Sequence, residues 1–237
     1  MYQFDEARPT THFLHDVAKG NIWDSKPVNV FGFNRNIGGV YEPIWNNSGS
    51  YTFPSSGLIM SLVSTSASDT MSVLINGLDI NHQIITETVT LTGTVAVQTS
   101  LSFYRINSAV ILSGLNVGNI SISNGGTVYG FIEADSGTTQ SAIYTVPENH
   151  SLYLFRIDVL SATANPNKYI TFRNVVTSSL GRTLKVAEAT FATSQVSFDR
   201  QVPFVIGEKS DFLFEAKSSS GENEVSIFIE TILVRNS

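Results

Sequence analysis

The sequence predicts an all-β protein, an antiparallel and jelly-roll-like β-sandwich, and three observations carry that expectation. Apolar and polar residues alternate with period two in short runs from Leu58 to Val234. The runs return about every 8–12 residues and are separated by Gly, Asn, Ser and Pro clusters, the spacing of antiparallel sandwiches. After residue 57 no amphipathic pattern is long enough for more than about two helical turns.

The clearest strand is Ile85 to Leu91. Thr86, Thr88 and Thr90 occupy one face, and Ile85, Val89 and Leu91 share the other with Glu87. Met71 to Ile75 leads into it through Asn76-Gly77 and Asn81-His82-Gln83, and Thr94 to Thr99 returns from Gly93, which makes a meander. Tyr104, Ile106, Val110 and Leu112 are expected to line one side of the next strand. Ile120 and Ile122 precede the Asn124-Gly125-Gly126 turn, and Thr127 to Glu133 runs back from it. Ala142 to Val146 comes next, closed by Pro147. In Leu152 to Leu160 the expected apolar face is Tyr153, Phe155, Ile157 and Val159, with Arg156 and Asp158 on a wet one. The remaining strands are Tyr169 to Val176, Thr183 to Phe191, Val196 to Val205, Phe212 to Lys217 and Val225 to Val234.

The first 56 residues read differently. They hold Trp23, Trp45 and four of the seven prolines, with little strict alternation. Thr11 is placed to N-cap a short helix, His12 to Lys19, which Gly20 terminates. Turn signals then recur at Pro27, Gly38-Gly39, Pro43 and Asn46 to Gly49. The expected organisation is an extended N-terminal arm over 1–56, with aromatic anchors Trp23, Phe31, Phe33, Tyr41 and Trp45, and a sandwich body over 57–237. Similar strand-turn-strand units leave open a division of that body near Thr138. The competing reading makes the same aromatics part of the body's own core.

Composition narrows the function classes. Of 237 residues 42 % are hydrophobic, enough for a substantial core, yet only 14 % are charged. The net charge is -6 and no Lys or Arg occurs between Arg35 and Arg105, which argues against nucleic-acid binding. The lack of cysteine excludes disulfides, thiolate zinc sites and cysteine nucleophiles. No apolar run reaches the about 18 residues of a membrane span. Asp5, Glu6, Arg8 and Asp16 make the N-terminus unlike a signal peptide, so the mature chain is expected to start near Met1.

Candidate chemistry is sparse. Gly207-Glu208-Lys209-Ser210 has a Glu where a phosphate loop needs a small residue, and reads as a turn between strands. His12, His15 and Asp16 have ligand spacing on one helical turn but no further cluster to join. Asp79, His82 and Glu87 bracket one turn. Glu87 sits on an apolar face, where it is expected to take a partner such as Arg105 or an edge position. Glu133, Asp135, Glu222 and Glu224 flank Gly-containing turns and read as solubilising charges rather than a glycosidase pair. Sequons at Asn46, Asn119 and Asn149 carry little weight without a secretory signal. No catalytic, cofactor-binding or metal-ligating residue is assigned, and an enzyme is not expected.

Several segments resemble virion structural proteins of tailed phages that infect marine bacteria. They are Gly77 to Asp79, Thr86 to Val97, Tyr104 to Asn107, Ala142 to Pro147, Leu152 to Leu154, Val202 to Phe204 and Lys217 to Val225. The resemblance covers most of 57–237, contains no catalytic motif, and implies a place in the shell or tail. Within that group the low charge density, the all-β body and the aromatic arm lead to the expectation of a capsid decoration or cement protein whose arm binds the major capsid protein or other virion proteins. The alternative is a neck, head-fibre or tail component, with Tyr129, Tyr144 or Tyr153 available to read host glycans. Thr-rich strands and open edges predict a homo-oligomer, a trimer in the favoured form.

Overall fold

The chain starts and finishes in one sandwich and builds a second between. The computed structural model describes residues 13–162 and 168–236. A helix, α1 (Phe13–Ala18), precedes β1 (Ser25–Ile37) and β2 (Glu42–Pro43). Seven strands then form a separate unit: β3 (Leu58–Ser64), β4 (Ser72–Leu78), β5 (Ile84–Thr90), β6 (Val97–Phe103), β7 (Arg105–Ile111), β8 (Ile120–Asn124) and β9 (Thr127–Ile132). The first unit resumes with β10 (Ile143–Thr145), β11 (His150–Ser161), β12 (Ile170–Thr177), β13 (Thr183–Phe191), β14 (Gln195–Ile206), β15 (Asp211–Ser218) and β16 (Asn223–Arg235).

The large sandwich pairs a sheet of order β1-β16-β11-β14 with one of order β10-β15-β12-β13, to which β2 adds beside β15. The small one pairs β6-β3-β8-β9 with β5-β4-β7. Each has its own core. Val30, Phe172, Phe212, Phe214 and Ile227 belong to the large sandwich, and Met60, Leu62, Ile75, Phe103 and Ile120 to the small one. The small core ends at Ile132 and the large core resumes at Ala142.

Residues 25–56 are body, not arm, which corrects the sequence expectation. β1 pairs with β16 from Ser25↔Val234 to Asn34↔Val225, and Val30, Ile37 and Ile44 lie in the large core. The alternation went unread because both faces of β1 are apolar: Val28, Val30 and Gly32 point inward, Phe31 and Phe33 outward. Gly32 is required there, since a Cβ would lie 2.5 Å from the Ile44 carbonyl oxygen. Trp45 is buried, and Tyr51 packs on it edge-on at 5.1 Å. Trp23 alone of the five anchors is well exposed, at 85 %. The helix ends as expected: Gly20 takes φ 74° and donates to the Val17 carbonyl. Thr11 and His12 lie outside the described residues.

Two bulges shift the period-two pattern. On β7, Ser108 pairs Asn76 and Ile106 pairs Gly77, so Asn107 is an extra residue. The inward set becomes Ile106, Ala109 and Ile111, and Leu112 is exposed, instead of Tyr104, Ile106, Val110 and Leu112 sharing a side. On β11 the register shifts between Leu154 and Arg156. Leu152, Leu154, Ile157 and Val159 are buried, and Tyr153 joins Arg156 and Asp158 on the outer face, which corrects the face expected for Tyr153 and Phe155.

Candidate interaction surface

The bulge on β7 turns the Asn107 side chain toward the large sandwich. Its amide donates to the Thr145 carbonyl at 2.9 Å and its oxygen accepts the Thr145 N–H at 2.9 Å. One residue pair away, Arg105 forms a two-pronged ion pair with Asp211 of β15, both contacts 2.8 Å. The guanidinium also donates to the Pro54 and Tyr104 carbonyls, at 2.9 and 2.8 Å, and lies over the Tyr104 and Phe53 rings. The side chains are 7 % and 12 % exposed, so a buried charge is met by an opposite charge, by carbonyls and by π faces. Burial lowers the Arg105 pKa, but the hydrogen bond and charge of Asp211 more than offset this, and the net shift is upward. His82 stacks edge-on against Tyr104, and burial together with the Arg105 charge pulls its pKa down. The Glu148 N–H donates to the His82 carbonyl, and Gln83 donates to the Glu148 carboxylate. These contacts join the two sandwiches.

The two outer faces of the large sandwich differ in chemistry. On the β15-β12-β13 face the polar groups satisfy one another. Arg173 pairs with Glu215 at 2.5 Å and lies under the Tyr41 ring, whose hydroxyl donates to Glu188. Thr171 bonds Thr190 and Thr177 bonds Thr183 across the strands.

The β1-β16-β11-β14 outer face is aromatic. Cross-strand register sets Phe31 opposite Phe228, ring centroids 4.6 Å apart, with Phe228 47 % exposed. Phe33 and Leu160 lie one row to one side. Asp158 stands beside Phe228 in the row of Phe31 and bonds Arg156 at 2.8 Å; Arg156, Glu230 and Asp199 form the next row, with Arg156 3.5 Å from Asp199, and Tyr153 and Val205 lie opposite each other beyond it. Next to Phe31 and Phe33 a groove of about 350 Å³ continues to Glu133, Asp135 and Gln140 of the small sandwich. Arg35 closes one wall, 2.9 Å from Glu133 and 3.8 Å from Glu224, with its guanidinium over Phe33.

The residues singled out in the sequence fall mostly into structural places. Glu87 does not meet Arg105: its carboxylate accepts the Ser100 and Leu101 N–H groups at 2.7 and 2.8 Å, tying β5 to β6. Asp79 accepts from the Asn81 and Gln83 amides and shapes the turn in which His82 takes φ 62°. Lys209 lies in the turn between β14 and β15 and pairs with Glu148 at 2.5 Å. Glu133 and Glu224 come together only through Arg35. His15 is exposed on α1, and among the described residues no three His, Asp or Glu side chains are placed to hold a metal. Tyr144 is buried, Tyr129 packs on the small core, and Tyr153 alone of the three nominated tyrosines reaches the aromatic face. Sequence reasoning missed Phe228, whose signal was an aromatic on the polar side of an alternating strand.

Comparison with known proteins adds little to this. No family model and no curated protein matches the chain. Among solved structures it is similar to "Structure of infectious bursal disease virus Gx strain" at 9 % identity and a TM-score of 0.26, over 90 % of this chain and 73 % of that one. The crystal structure of the infectious bursal disease virus VP2 subviral particle gives 8 % identity and a TM-score of 0.20, over 90 % and 77 %. Superpositions this loose carry no argument about role.

Proposed function

We propose that the chain is a non-enzymatic structural subunit of a virion, a capsid decoration or cement protein that binds the major capsid protein through the aromatic β1-β16-β11-β14 face. The observation that carries this is the contrast between the two outer faces of the large sandwich. Both faces carry paired charges, and the β1-β16-β11-β14 face alone of the two adds the cluster of Phe31, Phe33 and Phe228 beside Arg35. Aromatic and Arg side chains are the enriched anchors of protein interfaces. Four strands about 4.8 Å apart and about 30 Å long give roughly 500 Å² in projection. Side-chain relief brings that toward the ~800 Å² per partner of a standard interface. The resemblance of the strand segments to virion structural proteins of tailed phages supports the same reading, and self-association, as a trimer, is part of it.

The groove between Phe33 and Glu133 favours a second reading, a neck, head-fibre or tail component that contacts host glycans, because it sets aromatic faces beside carboxylates and the Gln140 amide. Particles lacking the native protein separate the readings. Purified chain should bind them in hundreds of copies, roughly one per shell subunit or symmetry site, and Phe228→Asp should abolish binding while leaving the thermal transition unchanged. Binding of about a dozen copies or fewer would favour the neck or tail. Undiminished binding by Phe228→Asp would rule out this face.

A further inference from the structure

At one end of the large sandwich the core stops at Val28, Leu152 and Leu233, and on each of these strands the next residue of the inward face carries a basic nitrogen. These are Lys26 on β1, His150 on β11 and Arg235 on β16. Register brings them together, with Lys26 opposite Leu233 and Arg235 opposite His150. All three line a depression of about 410 Å³, which Trp23, Asp24 and Ser25 complete. Trp23 is the most exposed aromatic among the described residues. Its turn is pinned: the Arg235 N–H donates to the Asp24 carbonyl at 2.8 Å, the Ser25 N–H to the Ile22 carbonyl at 3.4 Å, and Asp24 holds φ 61°. An indole presented to water on a fixed backbone is preorganised to stack on a ligand.

The chemistry of the depression is mixed. Among the described residues Arg35, Arg105, Arg156, Arg173, Lys185 and Lys209 are each paired with a carboxylate, whereas Lys26 and Arg235 are not. The His150 Nδ1 donates to the Glu148 carbonyl at 2.7 Å, which leaves Nε2 of the neutral ring as an acceptor. The depression therefore offers two free cations for an acid group, Nε2 and the Asp24 carboxylate for hydroxyl donors, and an indole face for C–H groups. A sugar acid supplies all three. A nucleic-acid strand is opposed by the Asp24 carboxylate and by the net charge of -6, with only these two cations to neutralise its phosphates. Lys26 also lines the adjoining depression, about 340 Å³ where the sandwiches meet, together with Asn29, Asn76 and Ser108. The pair has room for more than one sugar ring, with amides and a hydroxyl beyond the charged end.

We infer that the depression framed by Trp23, Lys26, His150 and Arg235 binds an acidic saccharide, with Trp23 stacked on a sugar ring and Lys26 and Arg235 on its acid group. The site lies about 23 Å along β1 from the groove beside Phe33, and it does not depend on how the chain attaches to a particle. Titration calorimetry of the full chain tests it with two acidic probes, tetragalacturonate and a sulfated heparin tetrasaccharide, against neutral cellotetraose and a four-nucleotide thymidine oligomer. At least one acidic probe should bind about tenfold or more tightly than cellotetraose. Trp23→Ala, and Lys26→Gln combined with Arg235→Gln, should each weaken that binding about tenfold with an unchanged thermal transition. Arg182→Gln, at an exposed position in the turn between β12 and β13, should leave it unaltered. Failure of both acidic probes to bind at about 10 mM, equal binding of cellotetraose, or tighter binding of the thymidine oligomer would overturn the inference. Full binding by Trp23→Ala, or an Arg182→Gln variant weakened as much as the double variant, would do the same. The comparison of probes on wild type decides the matter even should a variant fail to fold.

Discussion

Replacing Asp211 with Ala tests whether the two sandwiches are one mechanical unit. Among the described residues the substitution removes the only carboxylate bonded to Arg105, and it leaves a guanidinium whose side chain is 7 % exposed. Breaking a buried ion pair by deleting one partner costs about 3–5 kcal/mol, because the remaining charge is uncompensated. Here the Pro54 and Tyr104 carbonyls and the two rings stay in place, so the low end, about 3 kcal/mol, is expected. The Thr145 hydroxyl, which donates to Asp211 at 2.5 Å, loses its acceptor as well. For a chain of this size the loss corresponds to a fall of about 6–12 °C in Tm. Calorimetry should also resolve two transitions in the variant and a single one in wild type, since each sandwich has its own core. The double variant Arg105→Met, Asp211→Leu should be less destabilised than Asp211→Ala, because no unpaired charge is left behind. A loss below about 1 kcal/mol, or a double variant worse than the single, would refute the reasoning.

Close contacts elsewhere lead to further expected outcomes. Gly77→Ala should cost at least about 2 kcal/mol, measured by urea unfolding, because the new Cβ would lie 2.2 Å from the Arg105 carbonyl oxygen and 2.7 Å from the Phe103 ring. Glu87→Ala should free the Ser100 and Leu101 amides and raise their hydrogen exchange, with about 1–2 kcal/mol lost. The pKa of Asp69 is pushed up by burial and pulled further down by the bonds from Ser64, Val117 and Gly118, for a net lowering. Its contribution is therefore complete above the unfolded carboxylate value of about 3.9 and is lost as pH falls through the lower folded value. Amide exchange at Val117 and Gly118 should rise relative to the core strands on acidification to about pH 3, and Asp69→Asn should remove that pH dependence.

The body strands were legible because their two faces differ. In β5 the threonines at 86, 88 and 90 are exposed while Val89 is buried, and the alternation alone marks the strand. β1 was not legible, because Phe31 and Phe33 on the outside are as apolar as Val28 and Val30 within, and a strand coated on both sides has no period-two signal. The bulges at Asn107 and Phe155 escaped for a related reason: an extra residue leaves composition unchanged and inverts every assignment beyond it. Asp69 and Asn116 look in sequence like ordinary loop residues, and their importance comes from donors brought to them by folding. Arg105 and Asp211, 106 residues apart, were beyond pairing by any local rule.

The insertion topology gives two of the ion pairs a common task. A sandwich inserted between β2 and β10 is tied to its host by two chain crossings, and loop entropy alone would let it swing. Packing two apolar faces at the junction would fix distance but not angle, whereas hydrogen bonds and ion pairs are directional. Arg105 with Asp211 and Arg35 with Glu133 each join a residue of one sandwich to a residue of the other, and Asn107 with Thr145 adds a neutral pair between them. The first is buried and lies beyond the reach of salt screening, while the second, with Arg35 57 % exposed, is weakened by it. Orientation should thus persist in salt through Arg105 and Asn107. The aromatic sheet face then keeps one angle to the small sandwich at any salt concentration.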